Sequence, residues 1–124
     1  MKKILVCDDS EYILQLLTAK LKNKNYNVIR ASNGTEALKK LESDKPDLLM
    51  LDIMMPGMDG VDVIKTIREK EQKDKKSKLP VIILSAQNDM TIKLWFEQHD
   101  IHAYLTKPFS DEDLLNSVKT ALGE

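Results

Sequence analysis

Apolar positions along the chain switch repeatedly between two spacings. Lys3–Cys7 is a short run rich in Ile and Val, the pattern of a buried strand. From Ser10 to Asn23 the residues Ile13, Leu14, Leu16, Leu17 and Leu21 recur at helical spacing, with Ser10 placed as the N-cap. Further strands are predicted at Asn27–Ala31, Leu48–Leu51, Pro80–Leu84 and Ala103–Leu105. Helices are predicted over Thr35–Ser43, Val61–Glu71 and Met90–Gln98, and from a cap at Ser110 through Leu122. The acids after Ser110 suit the positive end of a helix dipole. Leu48–Leu51 is apolar without a break, as a central strand covered on both faces requires. MMPGMDG at 54–60 is turn material, and the charged run EKEQKDKKSK at 69–78 reads as a solvated helix end and loop.

Five β–α units in succession predict an α/β fold: a parallel sheet with right-handed crossovers and helices on both faces. The 124 residues, without repeat or linker, read as one domain over 1–124. Periodicity alone leaves the strand order open.

Composition narrows the setting. Apolar residues at 42%, charged residues at 31% and a net charge of −1 describe a soluble globular protein, with no general reason to bind nucleic acid or membrane. The single cysteine, Cys7, permits no intramolecular disulfide and sits in a run that makes it a core thiol. The apolar run before Asp8 is too short for a signal peptide, and nothing approaches transmembrane length. A cytoplasmic domain is expected.

The candidate chemistry lies where strands end. Asp8 and Asp9 follow KKILVC, Asp52 follows DLLML, Ser85 follows LPVIIL and Lys107 follows AYLT. Ligands of open parallel sheets bind in the crevice outside the carboxyl ends of the strands, so these residues are expected to converge. Taken singly, each has a plain structural explanation. Adjacent acids commonly make a polar turn, an acid closing a strand can be a cap, and a lone Lys-Pro means nothing. Together they offer three carboxylates, a hydroxyl and an ammonium. Clustered carboxylates repel unless a cation offsets them, and a few hard oxygen ligands suit Mg²⁺. An Asp carboxylate can also act as a nucleophile and form an aspartyl-phosphate. That reaction needs charge neutralisation on the transferring group, which Lys107 and a metal would supply, with hydrogen bonds from Ser85 and backbone N–H groups. Lys107 precedes Pro108, which raises the chance of a cis bond.

Four segments, ILVCDDS, DLLMLDIMMPGMDG, VIILSA and YLTKPFS, resemble the receiver domain of two-component response regulators. The resemblance runs end to end and extends to chemotaxis-type and sporulation-type single-domain receivers. It implies a flavodoxin-like sheet in the order 2-1-3-4-5, with the acids at its topological switch point. Asp52 then resembles the phosphoacceptor, and Asp9, Asp52 and the Met54 backbone carbonyl the Mg²⁺ ligands, with Asp8 acting through water. Lys107 matches the phosphoryl-binding lysine, Ser85 the switch hydroxyl and Tyr104 the aromatic rotamer switch. Met54 and Gln87, two residues after Asp52 and Ser85, match positions that tune phosphoryl lifetime.

The implied role is that of a signalling phosphoacceptor that assists its own phosphorylation and dephosphorylation. Its phosphodonor would be a phosphohistidine of a sensor histidine kinase or phosphotransfer protein. A downstream target would dock on the face formed by the helix at 90–98, the strand at 103–105 and the last helix. Where the family often has Gly-Ala-Asp-Asp, this chain has Asp100-Ile101-His102-Ala103. That face lacks the charge pattern of the winged-helix transcription-factor branch, since no acidic pair precedes Tyr104 and the last helix has no arginine. The chain ends soon after that helix, as a stand-alone receiver or one separated from an output domain would.

Packing alone explains several other residues. Tyr104 can be a strand aromatic. Trp95 and Phe96 read as core, Met55 and Met58 as turn packing, and His99 and His102 as surface. Three rivals fit less well. A haloacid-dehalogenase-type phosphatase needs a second Asp where Met54 stands. An FMN binder needs a hydroxyl- and Gly-rich loop in place of Asp-Asp-Ser-Glu. A degenerate, phosphorylation-independent receiver would not need Asp8, Asp9, Asp52, Ser85 and Lys107 all present.

Overall fold

Five parallel strands form one sheet in the order β2-β1-β3-β4-β5, as the resemblance implied. They are β1 (Lys3–Cys7), β2 (Asn27–Ala31), β3 (Leu48–Asp52), β4 (Val81–Ser85) and β5 (Ala103–Thr106). The computed structural model describes residues 1–55, 57, 59–86, 94 and 97–124. Among these lie α1 (Glu11–Lys22), α2 (Gly34–Asp44), α3 (Gly60–Asp74) and α4 (Asp111–Ala121). The helix expected over 90–98, including Trp95 and Phe96, falls outside the described residues except for Leu94, Glu97 and Gln98, as does Met58.

Each helix begins on a side chain able to satisfy a free backbone N–H. Ser10, Asn33, Asp59 and Ser110 accept from Ile13, Glu36, Asp62 and Asp113 respectively. The caps at Ser10 and Ser110 were expected. α2 starts a residue before the predicted Thr35. α3 runs on to Asp74, because the charged run contains no breaker until Lys75 takes the left-handed conformation, φ 54°. β4 begins at Val81 rather than Pro80, since proline has no N–H to place in the ladder.

Side chains alternate between the two faces of the sheet. Leu5 and Cys7 of β1 pack with Leu49, Leu51, Ile83 and the α3 residues Val63, Ile64 and Ile67. Ile4 and Val6 pack on the other face with Leu14, Leu17 and Leu21 of α1 and Leu114 and Val118 of α4. β3 and β4 are buried along their whole length. Such continuously apolar strands admit a polar residue only at the ends, where Asp52 and Ser85 stand. The register pairs Asp52 with Leu84 and Ser85 with Thr106, so the polar ends share one edge.

Arg68 ties the segment before β5 to α3. Its guanidinium donates to the carbonyls of His99 (3.0 Å), Leu79 (3.0 Å) and Asp100 (2.9 Å), and to the Glu71 carboxylate (2.8 Å). His99 is therefore half-buried, against the surface position expected for it, whereas His102 is exposed. Asp100 adopts φ 59°, the left-handed form that glycine takes more easily. Its carboxylate pairs with Lys78, and that contact holds it below the ordinary carboxylate range.

Candidate functional site

The strand ends bring Asp8, Asp9, Asp52 and Lys107 together, with Ser85 on the adjoining strand. Asp8, directly after β1, is fully buried, and Asp52, closing β3, is 5% exposed. Asp9 is exposed. One carboxylate oxygen from each of Asp8, Asp9 and Asp52 lies within 4.8 Å of the others. Lys107, after β5, reaches this cluster with Nζ 2.7 Å from Asp8 Oδ2 and 3.7 Å from Asp52 Oδ2. Ser85 is fully buried on the strand beside Asp52. Its carbonyl accepts from the Lys107 N–H at 2.6 Å, which ties the ends of β4 and β5 together. The Lys107–Pro108 bond is cis.

Local turns fix the carboxylates. Asp8 Oδ1 accepts from the Ser10 N–H at 2.9 Å, which joins the first acid to the cap of α1. Asp52 Oδ1 accepts from the Met54 N–H at 3.2 Å. The Met54 side chain is 61% exposed beside the site, whereas Met55 turns inward. Cys7 Sγ lies 3.5 Å from Met55 Sδ and 3.4 Å from the Asn33 carbonyl. Burial, followed by the charges of Asp8 and Asp52, pushes the Cys7 thiol up to about 12, which keeps it protonated and inert as a core residue.

Among the described residues, three carboxylates face the Lys107 ammonium. Asp52 bears the result: burial, then the charge of Asp8, raises its carboxyl from 3.8 to about 6, against the opposing pull of Lys107 and the Met54 N–H. Asp9 adds to the rise. A site that strains its own ionisation in this way suits an added cation, and its donors are hard oxygens. The residues present therefore fit a small divalent metal ion such as Mg²⁺.

Tyr104 sits on β5, half-buried against the core on the α3 side, and pairs in register with Ile83. It lies two residues before Thr106, the register partner of Ser85. Gln87 falls outside the described residues. Two features escaped the sequence reading. Gly60 opens α3 under the site, and a Cβ there would stand 2.6 Å from Ile53 Cα and 3.1 Å from the Asp52 carbonyl. Its signal was the second glycine of PGMDG, read only as turn material. The tighter partner of Lys107 is Asp8 rather than Asp52, a geometry that spacing does not encode.

A family model described as the response regulator receiver domain matches residues 4–119. Over 121 residues the chain is 42% identical to the alkaline phosphatase synthesis transcriptional regulatory protein PhoP of Bacillus subtilis, covering 98% of this chain and 48% of that protein. It thus spans about half of PhoP's length. Protein PilH of Pseudomonas aeruginosa is 34% identical over 122 residues, covering 98% of each chain. The structure of response regulator protein TrrA from Thermotoga maritima, in complex with Mg²⁺-BeF, matches with a TM-score of 0.84 at 36% identity, over 98% of this chain and 100% of that one.

Proposed function

Because the chain belongs to the response regulator receiver domains of two-component signalling, we propose that Asp52 is its phosphoacceptor, loaded from a phosphohistidine of a kinase or phosphotransfer protein. The carrying observation is the position of Asp52: buried at the end of a central strand, in a three-carboxylate cluster, 3.7 Å from the Lys107 ammonium. In the reaction an Asp52 carboxylate oxygen attacks phosphorus, a P–O bond forms and the P–N bond to the donor imidazole breaks. The departing imidazole takes up a proton from solvent.

Lys107 neutralises charge on the phosphoryl oxygens, and the Met54 N–H keeps the Asp52 carboxylate oriented. The Ser85 hydroxyl, held on the adjacent strand, donates to a phosphoryl oxygen. Asp8, Asp9, Asp52 and the Met54 carbonyl are the residues that would hold Mg²⁺. When bound, the ion offsets the carboxylates and the charge on the phosphoryl group. The complex of TrrA with Mg²⁺-BeF supports this assignment. The domain acts as a signalling phosphoacceptor that assists its own phosphorylation and dephosphorylation. Ser85 and Tyr104 carry the signal to a protein target on the face built by the segment before β5, β5 itself and α4. No described helix is long and apolar enough to cross a membrane, which suits a cytoplasmic site of action.

The test is intact mass after treatment with acetyl phosphate and Mg²⁺. One phosphate adduct is expected on the parent chain and none on Asp52→Asn. Equal labelling of the two proteins refutes the assignment.

A further inference from the structure

Helices of a β–α unit run antiparallel to the strands, so α2 and α3 end at the edge of the sheet where the strands begin. That edge is opposite to the acid cluster. Between the two helix ends lies a groove of about 600 Å³, within the usual range for small-molecule sites. Leu38 and Leu41 of α2, Ile67 of α3 and Leu79 ahead of β4 give it an apolar floor. Each of these residues is at least half-buried against the core on that face of the sheet.

The rim carries Glu42, Glu71, Lys45, Lys70 and Lys76. Both acids are already engaged. Glu42 pairs with Lys70 across the groove, from α2 to α3. Glu71 accepts from Arg68 at 2.8 Å and from the Leu79 N–H at 2.6 Å, which occupies both its oxygens. Lys45 and Lys76 are exposed and, among the described residues, have no acidic partner. Their backbones are nonetheless fixed: Lys45 is the left-handed C-cap of α2, φ 47°, and the Lys76 N–H donates to the Glu71 carbonyl at 2.9 Å. The groove therefore combines a pre-formed apolar floor with two cations whose charge nothing on the rim offsets. An occupant complementary to both has an apolar body and an anionic head.

We propose that this groove binds an amphiphilic carboxylate, with its acyl chain on Leu38, Leu41, Ile67 and Leu79 and its head group held at the rim by Lys45 and Lys76. No residue of the groove belongs to the acid cluster, so this site stands independently of phosphorylation.

Titrating the ¹⁵N-labelled full chain with decanoate, below its micellar range, tests the proposal by NMR. Saturable amide shifts are expected around residues 38, 41, 67 and 79, and decyltrimethylammonium, with an alkyl chain of similar length on a cationic head, should bind about tenfold more weakly. The double variant Lys45→Glu/Lys76→Glu should raise the dissociation constant about tenfold, because two exposed ion pairs become two repulsions. Lys45→Gln/Lys76→Gln should fall between it and the parent. The absence of saturable shifts, equal binding of the cationic amphiphile, or an unchanged constant in the charge-reversed variant overturns the proposal. So does sedimentation showing that a second copy of the chain covers the groove.

Discussion

Replacing Asp52 with Asn should make the metal-free domain more stable at neutral pH, although it removes the proposed reactive group. The Asp52 carboxyl titrates near 3.8 in an unfolded chain and at about 6 in the fold, chiefly because it is buried and faces Asp8. Between these values the folded state holds the proton more tightly than the unfolded one. Stability therefore falls as pH rises from about 4 through about 6, and the loss is complete above that. A rise of about 2 units at 1.36 kcal/mol each puts the cost of ionised Asp52 at about 3 kcal/mol. Asn has the shape of the protonated acid and avoids that cost. The assay is urea unfolding in EDTA at pH 7.5 and pH 4. Asn should unfold at higher urea than the parent at pH 7.5, by a free energy approaching about 3 kcal/mol, and the gap should close at pH 4. Equal midpoints at pH 7.5, or a gap that persists at pH 4, would refute the account of a carboxylate ionised against its surroundings.

Other outcomes follow from the same geometry. Millimolar Mg²⁺ should raise the melting temperature of the parent, by about 2.7 kcal/mol of stability at a hundredfold excess over its dissociation constant, and Asp9→Ala should largely abolish the response in a thermal shift assay. Gly60→Ala should destabilise by about 2 kcal/mol in urea, since backbone overlap at Ile53 outweighs alanine's better helix propensity; an unchanged midpoint would mean that α3 yields without cost. Beryllofluoride with Mg²⁺ should shift NMR resonances through residues 85–106, and changes confined to the neighbours of Asp8, Asp9 and Asp52 would remove Ser85 and Tyr104 as a switch. Met54→Asn should hasten loss of phosphate in Mg²⁺ after the donor is withdrawn, because an amide can orient an attacking water and a thioether offers no donor; an equal or slower rate would count against that position.

Strand and helix order was legible because the strands are short apolar runs and the helices carry stripes, two periods that do not overlap. The ends of β1, β3, β4 and β5 could be located because a polar residue interrupts each run. Periodicity could not order the strands; the family resemblance did, and the register agrees with it. Beyond the convergence of the strand ends, contacts between residues far apart in sequence were not legible. Arg68 looked like one more polar position on an amphipathic helix, yet its partners lie up to 32 residues away and three of them are backbone carbonyls. Carbonyls are present at every position, so no residue type announces them. Gly60 failed for the opposite reason, since its glycine is visible but the approach of Ile53 that requires it is tertiary.

The site and β5 are joined by backbone. The Lys107 N–H donates to the Ser85 carbonyl, and Ser85 pairs in register with Thr106, two residues along β5 from Tyr104. The proposed shift of the Ser85 hydroxyl toward a phosphoryl group on Asp52 would take place beside β5, which carries Tyr104 and leads directly into Lys107. Asp8 holds Lys107 at 2.7 Å, while Asp52, the proposed phosphoacceptor, has it only at 3.7 Å. Negative charge added at Asp52 would be expected to draw the lysine from Asp8 toward Asp52. On the proposed reading the drive would be local, in an acid cluster that Lys107 offsets only in part, and would bias a pre-existing equilibrium.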